Sequence, residues 1–252
     1  MGKKRKRQRR LDAAVWSVQR RYGSQSLFKG RPPSAVGDAL PRVSTGFRVL
    51  DEALGGGLPK GSVCELLGPA TSGKTTLAFK FLAQAQGQGS YVAYVDQAGH
   101  LDPDYAHRCG LDLSRLWIGQ PADLQEGLAM AESLVHSRGL AAVVLDTPDF
   151  FWDDPGQAPR LAASLGRLVA PLARSEMVLI FLHETGAASL SALAHHAAVR
   201  LRVTRERWIP LHSDVRGYEA RVEVLANQGG PSGRTVKLSI EFNGTVRSNN
   251  GL

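Results

Sequence analysis

Two glycines, a lysine and a threonine stand in fixed order in "GPATSGKT", residues 68–75. Gly68 and Gly73 permit a tight loop whose backbone amides turn inward, where they can donate to the oxygens of an anion. Lys74 adds a positive charge suited to the β and γ phosphates of a nucleotide, and the Thr75 hydroxyl is suited to magnesium. Pro69, Ala70, Thr71 and Ser72 span the gap between the glycines, and Thr76 follows at the head of an expected helix. Chance produces the pattern in about one chain in a hundred of this length. Its position between an expected strand and an expected helix favours phosphate binding over a decorative turn. Asp146 ends the apolar run "LAAVVLD". An acid there can hold magnesium through the water shell, or merely cap the next helix. The phosphate loop upstream favours the metal role, so ATP and magnesium are the expected ligands.

Such a loop must be held between a buried strand and a helix. "GSVCELLG" reads as that strand and "GKTTLAFKFLAQAQGQG" as that helix. "SYVAYVD", "LAAVVLD" and "MVLIFLHE" read as further strands. The helical stretches "ADLQEGLAMAESLVHSRG" and "APRLAASLGRLVAPLARSE" separate them, the second broken or bent at Pro171. Alternating strands and helices predict an α/β fold, a mostly parallel twisted sheet with helices on its faces. The character then changes. "AVRLRVTRE", "YEARVEVLA" and "RTVKLSIEF" alternate in the manner of strands and are joined by short loops, which predicts an antiparallel extension of the same sheet.

The 252 residues suffice for one large α/β domain. The longest apolar runs are too short to span a bilayer, so no membrane anchor is expected. Cys64 and Cys109 show neither metal spacing nor a disulfide framework, which suits a reducing cytoplasm. The net charge of +8 is concentrated in "KKRKRQRR", where Lys3, Lys4, Arg5, Lys6, Arg7, Arg9 and Arg10 leave the remainder close to neutral. This block, residues 1–10, is expected to be a disordered tail. It suits weak, salt-sensitive contact with DNA, an acidic protein partner, or no partner beyond solvent. Residues 11–43 read as a helix and linker. "LDAAVWSVQRRYG" places Leu11, Val15, Val18 and Tyr22 on one face, with Gly23 as the stop, and a linker rich in proline follows. That apolar stripe must dock on its own core or on a neighbouring molecule. Residues 44–245 form the expected core and 246–252 a flexible end.

With these motifs placed, the chain resembles the bacterial RecA family along nearly all of its folded length. "VSTGFRVLDEALGGGLPKGSVCELLGPATSGKTTL" is similar to the approach to that family's ATPase core. "YVDQAGHLDPDYAHRCGLDLSRLWIGQP" resembles its next segment, and "VLIFLHE" the strand bearing its phosphate sensor. "LDAAVWSVQRRYGSQSLFKG" is similar to the helix and short strand with which one RecA molecule docks on its neighbour. The resemblance implies a P-loop RecA-type core. Gly68, Gly73, Lys74, Thr75 and Thr76 would hold phosphates and magnesium with Asp146 nearby. Asp102 and Tyr105 would contact adenine, the Tyr105 ring stacking on the base. It also implies partners: RecA or a RecA-like protein, a translesion polymerase complex, or further copies of this chain.

The departures from the family carry as much information. Where RecA has the glutamate that activates water, gapless alignment of "VDQAGHLDP" places Ala98. A methyl group accepts no proton, so a contribution of roughly 10²–10⁴-fold to turnover is lost. Gln97 stands beside it but would point to the other side of a continuing strand. His100 is either a stand-in or simply solvated. The phosphate-sensing glutamine corresponds to Glu184, which would repel a γ-phosphate or else replace the missing base from the opposite side. The lysines that complete a neighbour's site are replaced by Ala226 and Gln228, and both stretches matching the DNA-binding loops are short. The sum resembles an ImuA-like accessory protein that binds ATP with weak or absent hydrolysis. A recombinase forming its own filament is the competing expectation, and a signalling or cell-division role on the same fold is a third.

Overall fold

A computed structural model describes residues 2–22, 41–147, 157–184, 190–211, 214–242 and 246–248. The chain divides into two units, residues 1–39 and 40–252.

In the first unit, helix α1 runs over Gly2–Tyr22. The disordered tail expected for residues 1–10 is thus corrected over its described part. Lysine, arginine and glutamine have good helix propensity, and extending an existing helix costs far less than nucleating one. Leu11 and Trp16 are 56% and 61% exposed, while Val15 and Val18 are half-buried. The stop at Gly23 and most of the linker lie outside the described residues.

The second unit begins with a small hairpin, β1 (Arg42–Val43) against β2 (Leu58–Pro59), flanking helix α2 (Arg48–Leu54). Alternation follows: β3 (Ser62–Leu67), α3 (Lys74–Ala85), β4 (Tyr91–Asp96), α4 (Pro103–Arg108), β5 (Leu116–Gly119) and α5 (Leu124–Ser137). Then come β6 (Leu140–Asp146), α6 (Gln157–Ala173), β7 (Val178–His183) and α7 (Leu190–His196). The unit closes with β8 (Ala197–Leu211), β9 (Asp214–Asn227), β10 (Thr235–Glu241) and β11 (Val246–Ser248).

Among the described residues one sheet has the order β11-β10-β9-β8-β3-β7-β6-β4-β5. It is parallel from β8 to β5 and antiparallel from β8 to β11, as the change of sequence character predicts. Side chains alternate between two buried layers. On β6, Ala142 and Val144 join the layer with α3, while Val143 and Leu145 join the layer with α5 and α6.

Two expectations need correction, and one strand was not expected. Pro171 does not break α6: it sits in the last turn, and the helix closes two residues later. Part of the expected flexible end, Val246–Ser248, is an edge strand paired with β10. The strand "LWIG", β5, went unrecognised because four residues give alternation too little length to register.

Candidate functional site

Register brings the ends of the parallel strands to one edge. Leu67 on β3 is level with His183 on β7, and Asp96 on β4 with Asp146 on β6. In open α/β sheets this carboxyl edge is where ligands bind. The loop Gly68–Gly73 leaves β3 there and turns into α3, whose positive end therefore faces the same place.

Both glycines are required by close approach. A Cβ on Gly68 would lie 2.0 Å from the Val203 carbonyl oxygen, and one on Gly73 would lie 2.8 Å from the Tyr218 hydroxyl. Thr71 adopts a left-handed conformation, φ 59°, unusual for a β-branched residue. Its hydroxyl accepts a 3.0 Å bond from Arg205, which holds the loop on β8. Lys74 Nζ donates to the carbonyls of Gly68 at 2.6 Å and Pro69 at 2.9 Å. Phosphate oxygens are stronger acceptors than these neutral carbonyls. Ser72 is buried, and its hydroxyl has no hydrogen-bond partner among the described residues. An orphaned buried hydroxyl in such a loop fits a ligand rich in acceptor oxygens.

The acids lie on the α3 side of the sheet. Asp146 Oδ2 accepts from the Tyr94 hydroxyl. Burial raises the Asp146 pKa; the Tyr94 bond opposes this, and the Asp96 charge adds to it. Burial and the neighbouring Asp146 also push the Tyr94 phenol well above its usual value. A carboxylate in that position gains from a nearby cation, so the donor set fits magnesium. Asp96 is already occupied: it accepts from the backbone N–H groups of His100 at 3.2 Å and Leu101 at 2.8 Å.

Ala98 follows, half-buried, with no group that could accept a proton. The backbone N–H of Gln97 donates to Asp146 O, and both polar atoms of its side-chain amide are buried without a partner among the described residues. An amide can orient water but is no general base. His100 is exposed. Glu184 is half-buried just past β7, and its backbone carbonyl lies 2.6 Å from His183 Nδ1.

Tyr105 reaches the loop, its hydroxyl 2.8 Å from Thr76 Oγ1. Burial pushes its pKa up to about 12, so it is a neutral hydrogen-bonding phenol. Asp102 is exposed, and its carboxylate accepts from Tyr105 N at 3.0 Å as the N-cap of α4, with Pro103 in the first turn. The sequence signal for that cap, Asp followed by Pro, was present in "LDPDY".

Sequence reasoning missed one wall of the site. A cavity of about 340 Å³ is lined by Thr71 to Thr76, Tyr105, Arg205, Trp208, Tyr218 and Phe242. The Trp208 and Tyr218 rings meet edge-on at 5.9 Å, Phe242 lies 6.1 Å from each, and Arg205 stacks on Trp208 at 4.2 Å. Aromatic faces beside a phosphate loop offer stacking surface to a flat base. A larger cavity, about 630 Å³, is lined by Arg42, Lys60 and Arg138 together with the start of β4 at Tyr91 and of β6 at Leu140. It is at the opposite edge of the sheet and has no phosphate loop, so size does not mark the site.

A mostly parallel sheet covered on both faces, with this loop at its carboxyl edge, defines a P-loop α/β protein. The chain matches the RecA N-terminal domain over residues 9–150. It is 33% identical over 261 residues to Protein RecA of Treponema denticola, covering 92% of this chain and 62% of that protein. It is 34% identical over 265 residues to Protein RecA of Brucella suis, covering 94% and 72%. The crystal structure of the RadB recombinase aligns with a TM-score of 0.67 at 23% identity, over 82% of this chain and 99% of that one. At that identity the likeness concerns the fold. The chain belongs to the RecA family, and it spans under two thirds of the Treponema relative. No helix among the described residues is long and apolar enough to cross a membrane.

Proposed function

We propose that this RecA-family chain binds ATP and hydrolyses it weakly or not at all. In that reading it is a cytoplasmic accessory protein that docks on RecA or a related partner and modulates recombination, the SOS response or translesion synthesis. The loop Gly68–Thr76 holds the phosphates, with Lys74 moving from its own carbonyls to phosphate oxygens. Thr75 and Asp146 hold magnesium, which supplies charge neutralisation when bound. Tyr105 stacks on the base, Asp102 at the head of the same helix meets its edge, and Trp208 and Phe242 close the far wall. Residual hydrolysis is assigned to Glu184. Leu11–Gly30 serves as the docking segment, and the basic block before it adds weak DNA contact.

The observation that carries the non-catalytic reading is the exit of β4. Ala98 stands where a base is needed, and the nearest acids are engaged, Asp96 by two backbone amides and Asp146 by Tyr94. The second reading, a recombinase driven by single-stranded DNA and forming its own filament, is favoured by the intact phosphate loop and by the likeness to Protein RecA. A pull-down against RecA with and without ATP tests the docking role. Capture by the full chain and its loss on deleting residues 11–30 are expected. Equal capture by both proteins would remove the segment from the account.

A further inference from the structure

Strand β8 carries Arg200, Arg202, Arg205 and Arg207. Arg200 is paired with Glu65, Arg202 with Glu223 at 3.2 Å and Arg207 with Glu219 at 2.7 Å. Arg205 has no carboxylate partner among the described residues. Its place differs too. β8 runs close to Gly68 at the Val203 carbonyl, so Arg205, two residues on, arrives at the middle of the phosphate loop. There Nη1 donates to the Thr71 hydroxyl at 3.0 Å, and the guanidinium lies 4.2 Å from the centre of the Trp208 ring. Of these arginines, only Arg205 lines the cavity that Thr71 to Thr76 also line. A neutral hydroxyl and a ring face leave its charge without a counter-anion, and the fork keeps N–H donors to spare. An arginine loose in solvent needs no partner, but stacking and the Thr71 bond hold this one in place. A group already held loses little freedom when an anion arrives. Phosphate oxygens take a guanidinium in charge-assisted pairs, which a hydroxyl does not offer.

We propose that Arg205 is a phosphate-binding residue, which leaves Thr71 for the phosphate oxygens of a bound nucleotide and adds its charge to that of Lys74. The inference rests on the reading of the loop as an ATP site. Its test is displacement of a fluorescent ATP analogue from the full chain, followed by anisotropy, with ATP and with inorganic tripolyphosphate as competitors. A glutamine at this position can still donate to Thr71 but carries no charge, whereas a lysine keeps the charge. Arg205→Gln is expected to weaken both competitors by the same factor, about tenfold or more, the weight of a hydrogen bond to a charged group. Arg205→Lys should weaken them clearly less. Unchanged ATP affinity in Arg205→Gln would overturn the inference and leave the ATP site standing. A loss confined to ATP, which would put Arg205 to work on the base through Trp208, would do the same, as would equal losses in the two variants. A wild type that binds no analogue, or releases none to tripolyphosphate, would overturn the phosphate site and this inference together.

Discussion

Glu65 on β3, buried, and Asp146 on β6, half-buried, are carboxylates on opposite faces of one sheet, and they keep different company. Burial pushes Glu65 up, but bonds from His183 Nε2, at 2.7 Å, and from the Arg200 guanidinium together outweigh it and hold its pKa below the usual range. Asp146 has a neutral phenol for a partner and a second acid nearby, and there burial prevails. A buried acid matched by charge inside the fold braces it. A half-buried acid left with a neutral donor and a second acid nearby keeps a demand for a cation. Glu65 ties β3, β7 and β8 together; Asp146 faces the phosphate loop.

Removing the brace should have the largest effect. Glu65→Ala is expected to destabilise by about 3 kcal/mol in urea unfolding, because it leaves a guanidinium and an imidazole without their acid. The lower end of the usual range applies because the Arg200 side chain is 27% exposed and can turn to water. A loss below about 1 kcal/mol would erase the contrast. Next in size, Lys74→Ala should weaken ATP binding about a hundredfold while leaving the unfolding midpoint unchanged. Undiminished affinity in a calorimetric titration would separate the loop from nucleotide.

Smaller and opposite in sign is Asp146→Asn. It should stabilise the fold by roughly 1 kcal/mol near neutral pH, as relief of functional-site cost commonly does. Destabilisation there would make Asp146 a second brace. The smallest effect is the pH dependence of these changes. The pKa of Glu65 is depressed in the fold, so its contribution is present above the unfolded glutamate value and lost as pH falls through the folded one. Glu65→Gln should remove that part of the acid-side decline. The pKa of Asp146 is raised, so its ionised form costs stability as pH rises past the unfolded aspartate value, in full only above the folded one. The gain from Asp146→Asn should therefore fade toward about pH 4, a trend that denaturation across pH would show.

Each half of this comparison was legible to a different degree. The tight turn Gly68–Gly73 between β3 and α3 and the place of Asp146 at the end of β6 could be read directly, because residue types at fixed spacing dictate local geometry and a strand end needs only an apolar run before it. The antiparallel extension followed from alternation. The partners could not be read. Tyr94 meets Asp146 across 52 residues, His183 meets Glu65 across 118 and Arg200 meets it across 135. Those meetings depend on strand order, which pattern alone leaves open. The aromatic wall was hidden for the same reason. Trp208 and Tyr218 face each other through the pairing of β8 with β9, and Phe242 follows β10. At Asp102 the family resemblance pointed to adenine while the local signal pointed to a helix cap, and the carboxylate makes the cap.

The central claim is that a phosphate cradle persists here without the base that splits its ligand. Steady-state ATP hydrolysis by the wild type and by Ala98→Glu, with saturating single-stranded DNA, tests it most directly. Turnover near the buffer rate is expected for the wild type, with a rise of at least about tenfold when the carboxylate is restored. Rapid hydrolysis by the wild type, abolished in Glu184→Gln, would contradict it.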